Sequence, residues 1–274
     1  ERGELKGAGQ WTHQYADPAN SVNSDDELIQ GPLGMLWFSD LEQSMTQRHG
    51  RAPAPLFNNG VLFSEGLNTM IAVDAYNGHL MWEYELPGIL ASFDGDHLMG
   101  TSGTGSNYCV SDDAVFVRRD DKCLRIDAQT GKLLSEFTAP TAKAGGKTVW
   151  GYLAHDDGLL FGSLSDTEHV PTFRYRAGGD MNDQLTESKT FFALDAKTGK
   201  LVWKYDAEHS IRHNTIAIAN RAVVLIDRAQ AIFDRTKDAK ATEAEHPTGS
   251  LIAFEAATGK ELWRNSGDIY GTVA

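Results

Sequence analysis

One phrase occurs four times in this chain: IAVDAYNGHLMW at 71–82, LRIDAQTGKLLS at 124–135, FALDAKTGKLVW at 192–203 and IAFEAATGKELW at 252–263. Its glycines, Gly78, Gly131, Gly199 and Gly259, follow one another at intervals of 53, 68 and 60 residues, a propeller-blade period lengthened by insertions. Each phrase reads as two strands around a tight turn. Apolar and β-branched residues lead in, a DxxTG centre turns the chain, and a period-two run such as Leu201-Val202-Trp203 leads out. Asp74, Asp127 and Asp195 are placed to accept backbone N–H bonds inside the turn, and the glycine supplies a positive φ. The fourth copy carries Glu255 instead of Asp and the first carries Asn77 instead of Thr, changes a turn tolerates and a catalytic acid would not.

Two further strand candidates precede every hairpin, within PAPLFNNGVLFSEG, NYCVSDDAVFVRR, GYLAHDDGLLFGSL and NTIAIANRAVVLID. Four strands per repeat make one antiparallel blade, and radial repetition of blades protects strand edges. The expected fold class is therefore all-β: a β-propeller with four recognisable blades at about 48–87, 88–140, 141–207 and 208–267, after a lead-in over 1–47 that includes the strand entering the first blade. Trp82, Trp203 and Trp263 are expected to fill the wedges between neighbouring blades. Blade two has Ser135 at that position, so its wedge is expected to be the loosest.

Composition narrows the partners. A net charge of −13 with no offsetting basic cluster repels a phosphate backbone, which excludes nucleic acid, and disfavours an anionic membrane surface. No apolar run approaches the roughly 20 residues of a membrane helix.

The repeated phrase resembles the quinoprotein-type (PQQ-like) propeller repeat, AhDxxTGKxxW with h apolar, and 193–203 matches it nearly letter for letter. The stretch WTHQYADPAN at 11–20, followed by Ser24, Leu28 and Leu36-Trp37, is similar to the segment that introduces the first blade in that family. Members often have eight blades, so the resemblance implies that this chain is a segment of a larger bacterial secreted protein, working in the periplasm or outside the cell. It also implies one of two functions. The first is a non-catalytic scaffold of the bacterial envelope that binds a ligand or a protein. The alternative is an oxidoreductase acting on alcohols or sugars with pyrroloquinoline quinone and Ca²⁺. Quinone-holding members stack the cofactor against a ring made by two adjacent cysteines, whereas Cys109 and Cys123 lie 14 residues apart here. The cofactor thus rests on family resemblance alone, and no metal site is expected. The strand order separates the two cysteines by two strand spacings, about 9–10 Å, beyond disulfide reach, so free thiols are expected.

In an up-and-down meander the B–C and D–A connections emerge on one face, and these are the elaborated ones, at SLSDTEHVPTFRYRAGGDMNDQLTESK, 228–248 and 138–149. The residues opening each A strand are expected to line the channel mouth on that face: His49 and Arg51, Ser106 and Asn107, Trp150 and Tyr152, then Arg212, His213 and Asn214. They suit a small polar or anionic ligand, the arginines acting as forked donors, or a protein partner. A water-filled mouth is the plainer alternative. His209 and His213 have zinc-like i, i+4 spacing but lie in a link leading to a strand, and no catalytic residue is assigned.

Overall fold

The computed structural model describes residues 5–38, 53–89, 108–141, 148–166, 187–229 and 248–269. Blade one is β1 (Leu56–Asn58), β2 (Val61–Glu65), β3 (Thr69–Asp74) and β4 (Leu80–Glu85). Blade two is β5 (Tyr108–Val110), β6 (Ala114–Arg119), β7 (Lys122–Asp127) and β8 (Leu133–Thr138). Blade three is β9 (Thr148–Asp156), β10 (Leu159–Asp166), β11 (Glu187–Asp195) and β12 (Leu201–Arg212). Blade four is β13 (Ala217–Ala219), β14 (Ala222–Arg228), β15 (Gly249–Glu255) and β16 (Glu261–Gly267). Every consecutive pair within a blade is antiparallel, so each blade is the expected meander.

Turn chemistry explains where the strands reverse. Asn59-Gly60, Asp157-Gly158 and Asn220-Arg221 all take positive φ, the geometry that lets a two-residue turn follow the twist of its strands. In the repeated turn, Asp127 Oδ1 accepts the Thr130 backbone N–H at 2.7 Å and its hydroxyl at 2.8 Å, and Asp195 does the same with Thr198 at 2.8 and 2.7 Å. These bonds, the threonine hydroxyl first, hold both carboxyls below the usual carboxylate range.

All four outer strands carry the same irregularity. Ala72 pairs with Trp82 and Val73 with Leu80, leaving Met81 as a one-residue bulge, and Leu134, Val202 and Leu262 are bulged at the corresponding points. The extra residue re-aims the rest of the strand, turning the tryptophan position toward the next blade. There the ring lies on the next blade's turn glycine. A Cβ on Gly131 would come within 2.8 Å of the Trp82 indole, and one on Gly259 within 2.6 Å of Trp203. Each indole N–H also donates to the alanine carbonyl three residues before that glycine, Trp82 to Ala128 at 2.9 Å and Trp203 to Ala256 at 2.7 Å. Trp37 of the lead-in docks on blade one in the same way, over Gly78 and onto the Ala75 carbonyl.

One expectation needs correction here. The wedge after blade two is filled, because Phe137, two residues beyond Ser135 and so on the same strand face, lies buried on Gly199. Trp263 is 47% exposed, against 7% for Trp82 and 8% for Trp203, and no glycine turn among the described residues lies under it.

Three apolar clusters result, between blades one and two, two and three, and three and four. Cys109 and Cys123 are free thiols buried in the second of these, on strands separated by β6. Burial pushes both thiols well up. Blades three and four also join edge to edge, since the end of β12 pairs with β14 through Ser210↔Arg228 and Ile211↔Asp227. Where a D–A loop was expected, the strand runs on because buried Asp227 accepts from Tyr205 Oη at 2.6 Å and from the backbone N–H groups of Glu208, His209 and Ser210 at 2.7, 2.9 and 3.1 Å. A buried carboxylate has no donor of its own, so these four bonds are what keep it soluble in the protein interior.

Candidate functional site

His49, Arg51, Ser106 and Asn107 lie outside the described residues. The other five mouth candidates are brought together around the inner ends of blades three and four, but not as open donors. Trp150 and Tyr152 are buried on β9, and the Trp150 indole donates to the Tyr152 carbonyl at 3.0 Å. Arg212, expected as a forked donor to a ligand, is wholly buried and directs Nε at Glu187 Oε1, 3.2 Å away across the β11–β12 pair. His213 starts a short 3₁₀ turn, His213–Thr215. Its Nε2 is 3.1 Å from Ser163 Oγ and in close contact with Ser188 Oγ; the two hydroxyls are 2.7 Å apart, and Ser163 also accepts the Tyr152 N–H. A serine beside a histidine suggests a nucleophile, but both serines are wholly buried, and the cluster acts as a strut between three strands. His209 is exposed while His213 is buried, and among the described residues no group of three His, Cys, Asp or Glu is placed to hold a metal ion.

The same pattern holds toward blades one and two. Arg118 Nη1 donates to the Trp150 carbonyl at 2.9 Å, and burial lowers its guanidinium to about 10, with Glu65 pulling the other way. Tyr108 Oη donates to the Ala54 carbonyl at 2.7 Å. Charged and polar groups at this end of the strands therefore cross-brace neighbouring blades.

A pocket lies between the lead-in and blades three and four. Its volume is about 290 Å³, mouth included, and Tyr152, His213 and Asn214 form one wall. The other wall is His13, Gln14, Tyr15, Asp17 and Asn20, from a segment that sequence reasoning treated only as a lead-in. His13 is buried, its Nδ1 2.8 Å from Thr12 Oγ1 and its Nε2 accepting the His155 N–H at 3.1 Å. Burial, then the neighbouring His155, lowers it to about 3, so the ring is neutral at ordinary pH. Two tyrosines, three amides and a carboxylate give the lining both donors and acceptors, but most of that space is open to solvent and its enclosed part has room for no more than about one water. Asp17 already accepts the Ala19 and Ser21 N–H groups at 2.9 and 3.0 Å, so it acts first as a turn former. No local motif pointed to this wall, since its residues meet blades three and four only through contacts far apart in the chain.

The quinone fit can be judged from the thiols. Cys109 and Cys123 are buried on different strands of blade two and cannot form the ring of two adjacent cysteines, so the described residues do not match that way of holding pyrroloquinoline quinone.

The family model described as outer membrane protein assembly factor BamB matches residues 6–166 and, in a second alignment, 95–272. The dehydrogenase subunit of the quinone alcohol dehydrogenase of Gluconobacter oxydans (strain 621H) is 26% identical over 199 residues, covering 71% of this chain and 23% of that subunit. Quinohemoprotein alcohol dehydrogenase ADH IIB of Pseudomonas putida is 25% identical over 177 residues, covering 63% of this chain and 22% of that protein. The chain thus spans about a quarter of the length of these curated relatives. Among solved structures, quinohemoprotein alcohol dehydrogenase ADHIIG from Pseudomonas putida HK5 superposes with a TM-score of 0.59 at 16% identity over 94% of this chain and 40% of that one. A europium-containing methanol dehydrogenase gives 0.60 at 14% identity over 93% and 48%. At such identities the likeness speaks to the fold, a β-propeller. Since the family alignments run together from residue 6 to residue 272, across all four glycine-turn blades, the chain belongs to the PQQ-type repeat propeller family whose model is described as outer membrane protein assembly factor BamB.

Proposed function

We propose that this chain works as a non-catalytic scaffold propeller in the bacterial envelope, engaging another protein module through its open blade face. The observation that carries the reading is Trp263. It holds the same strand position and follows the same bulge as Trp82 and Trp203, yet 47% of its surface is exposed. Continuity with the three blade interfaces already built supports a further blade of the same repeat as its occupant, one offering a turn glycine for the ring and an alanine carbonyl for the N–H. The buried pairing of Arg212, Arg118 and His213 supports a structural role for these groups. The family's description as an assembly factor of the outer membrane supports the envelope location.

The test places a photo-crosslinking amino acid at position 263 in cells. Adducts to a glycine-centred turn of a PQQ-type repeat are expected, and adducts only to unrelated surfaces, or none, would refute the assignment. The second reading, a quinoprotein oxidoreductase, is favoured by the 26% identity to a quinone alcohol dehydrogenase subunit. Addition of pyrroloquinoline quinone and Ca²⁺ followed by an alcohol-dependent dye-reduction assay separates the two: turnover supports the enzyme, and its absence supports the scaffold.

A further inference from the structure

We propose that residues 11–20 form an axial strap that locks the inner edges of all four blades and closes one side of the channel pocket, with His13 as its central latch. The A strand of every blade is an edge strand, and its channel side presents backbone groups that need partners. The strap supplies partners blade by blade. Trp11 exchanges two backbone bonds with Phe57 on blade one, both 2.8 Å, and the Thr12 carbonyl accepts the Val110 N–H on blade two at 3.0 Å. His13 Nε2 accepts the His155 N–H on blade three at 3.1 Å. On blade four, the Pro18 carbonyl accepts the Ile218 N–H and Asn20 Nδ2 donates to the Ile216 carbonyl, each at 2.8 Å.

These anchors are linked to one another. Thr12, His13 and Ala16 close a tight loop through backbone bonds of 2.8 to 3.3 Å, and Asp17 Oδ1 ties down the next turn, so a displacement at His13 passes to both ends. The path is also strained. Ala16 has φ of +82° and Val22, two residues beyond the strap, +55°, a region that side chains other than those of asparagine and aspartate avoid, β-branched valine above all; Asn20, at +60°, is of a type that tolerates it. Such a conformation persists only where surrounding contacts over-determine it. The strap is therefore held by the blades against its own preference and comes away as a unit. When it does, the four inner edges and one wall of the pocket open together.

Hydrogen exchange on the whole chain tests this at the His155, Val110, Phe57 and Ile218 amides. His13→Phe keeps a ring in place but removes the acceptor, and at least a tenfold acceleration at all four amides is expected. Acceleration confined to His155 would show independent contacts and overturn the proposal. Should that variant fail to fold, Val22→Asn decides alone, because Val22 is 65% exposed and asparagine accepts its backbone geometry. Slower exchange at all four amides supports the strap; unchanged exchange overturns it.

Discussion

Gly259 and Gly158 share a positive φ, +70° and +76°, but only one of them lies under an indole. That difference allows the docking contact to be weighed apart from backbone strain. Nothing stands within 4 Å of a Cβ built on Gly158, so Gly158→Ala meets only the left-handed penalty, about 1 kcal/mol. Gly259→Ala adds a collision with Trp203 at 2.6 Å. Overpacking of this kind costs about 1–3 kcal/mol, so a total of about 2–4 kcal/mol is expected. Moving the indole also lengthens its bond to the Ala256 carbonyl, which is part of that figure. Urea unfolding followed by far-UV circular dichroism at pH 7 measures both variants. The decisive control is the Trp203→Ala background, where the collision is gone and Gly259→Ala should cost no more than Gly158→Ala does in the unmodified chain. Equal costs for the two glycines in the intact chain, or no relief on removing Trp203, would refute the stacking account.

Three further outcomes are expected. Phe137→Ala should destabilise by about 3–4 kcal/mol in the same assay, because it empties the wedge over Gly199. Ser135→Ala should lie within about 1 kcal/mol of the parent or be more stable, since its buried hydroxyl has no hydrogen-bond partner. The third outcome concerns acid. Burial lowers His13 from 6.5 to about 3 and also lowers His155, so unfolding takes up protons in that window. Stability should therefore fall as pH drops below about 6.5, by up to about 1.4 kcal/mol per pH unit for each histidine. His13→Gln should make that fall shallower between pH 6.5 and 5 in urea titrations, and an unchanged slope would show that His13 is not buried neutral.

The repeat made most of the fold legible. The strand count, the turn sites and the two free thiols all follow from hydrophobic period and turn chemistry, which act over neighbouring residues. Phe137 was within reach of the same reasoning, because a residue two beyond Ser135 shares its face. The site was less legible. Arg212 reads as an open donor until Glu187, 25 residues earlier, is found beside it, and His213 reads as a mouth residue until Ser163 and Ser188 close around it.

What the sequence determined by itself is the blade: four strands, a glycine turn, and an aromatic ring aimed at the next unit, each dictated by side chains a few positions apart. What only the tertiary structure decided is how the blades use their inner edges. Those contacts join residues such as His13 and His155, 142 positions apart, through backbone N–H groups that every sequence possesses and no residue pattern marks.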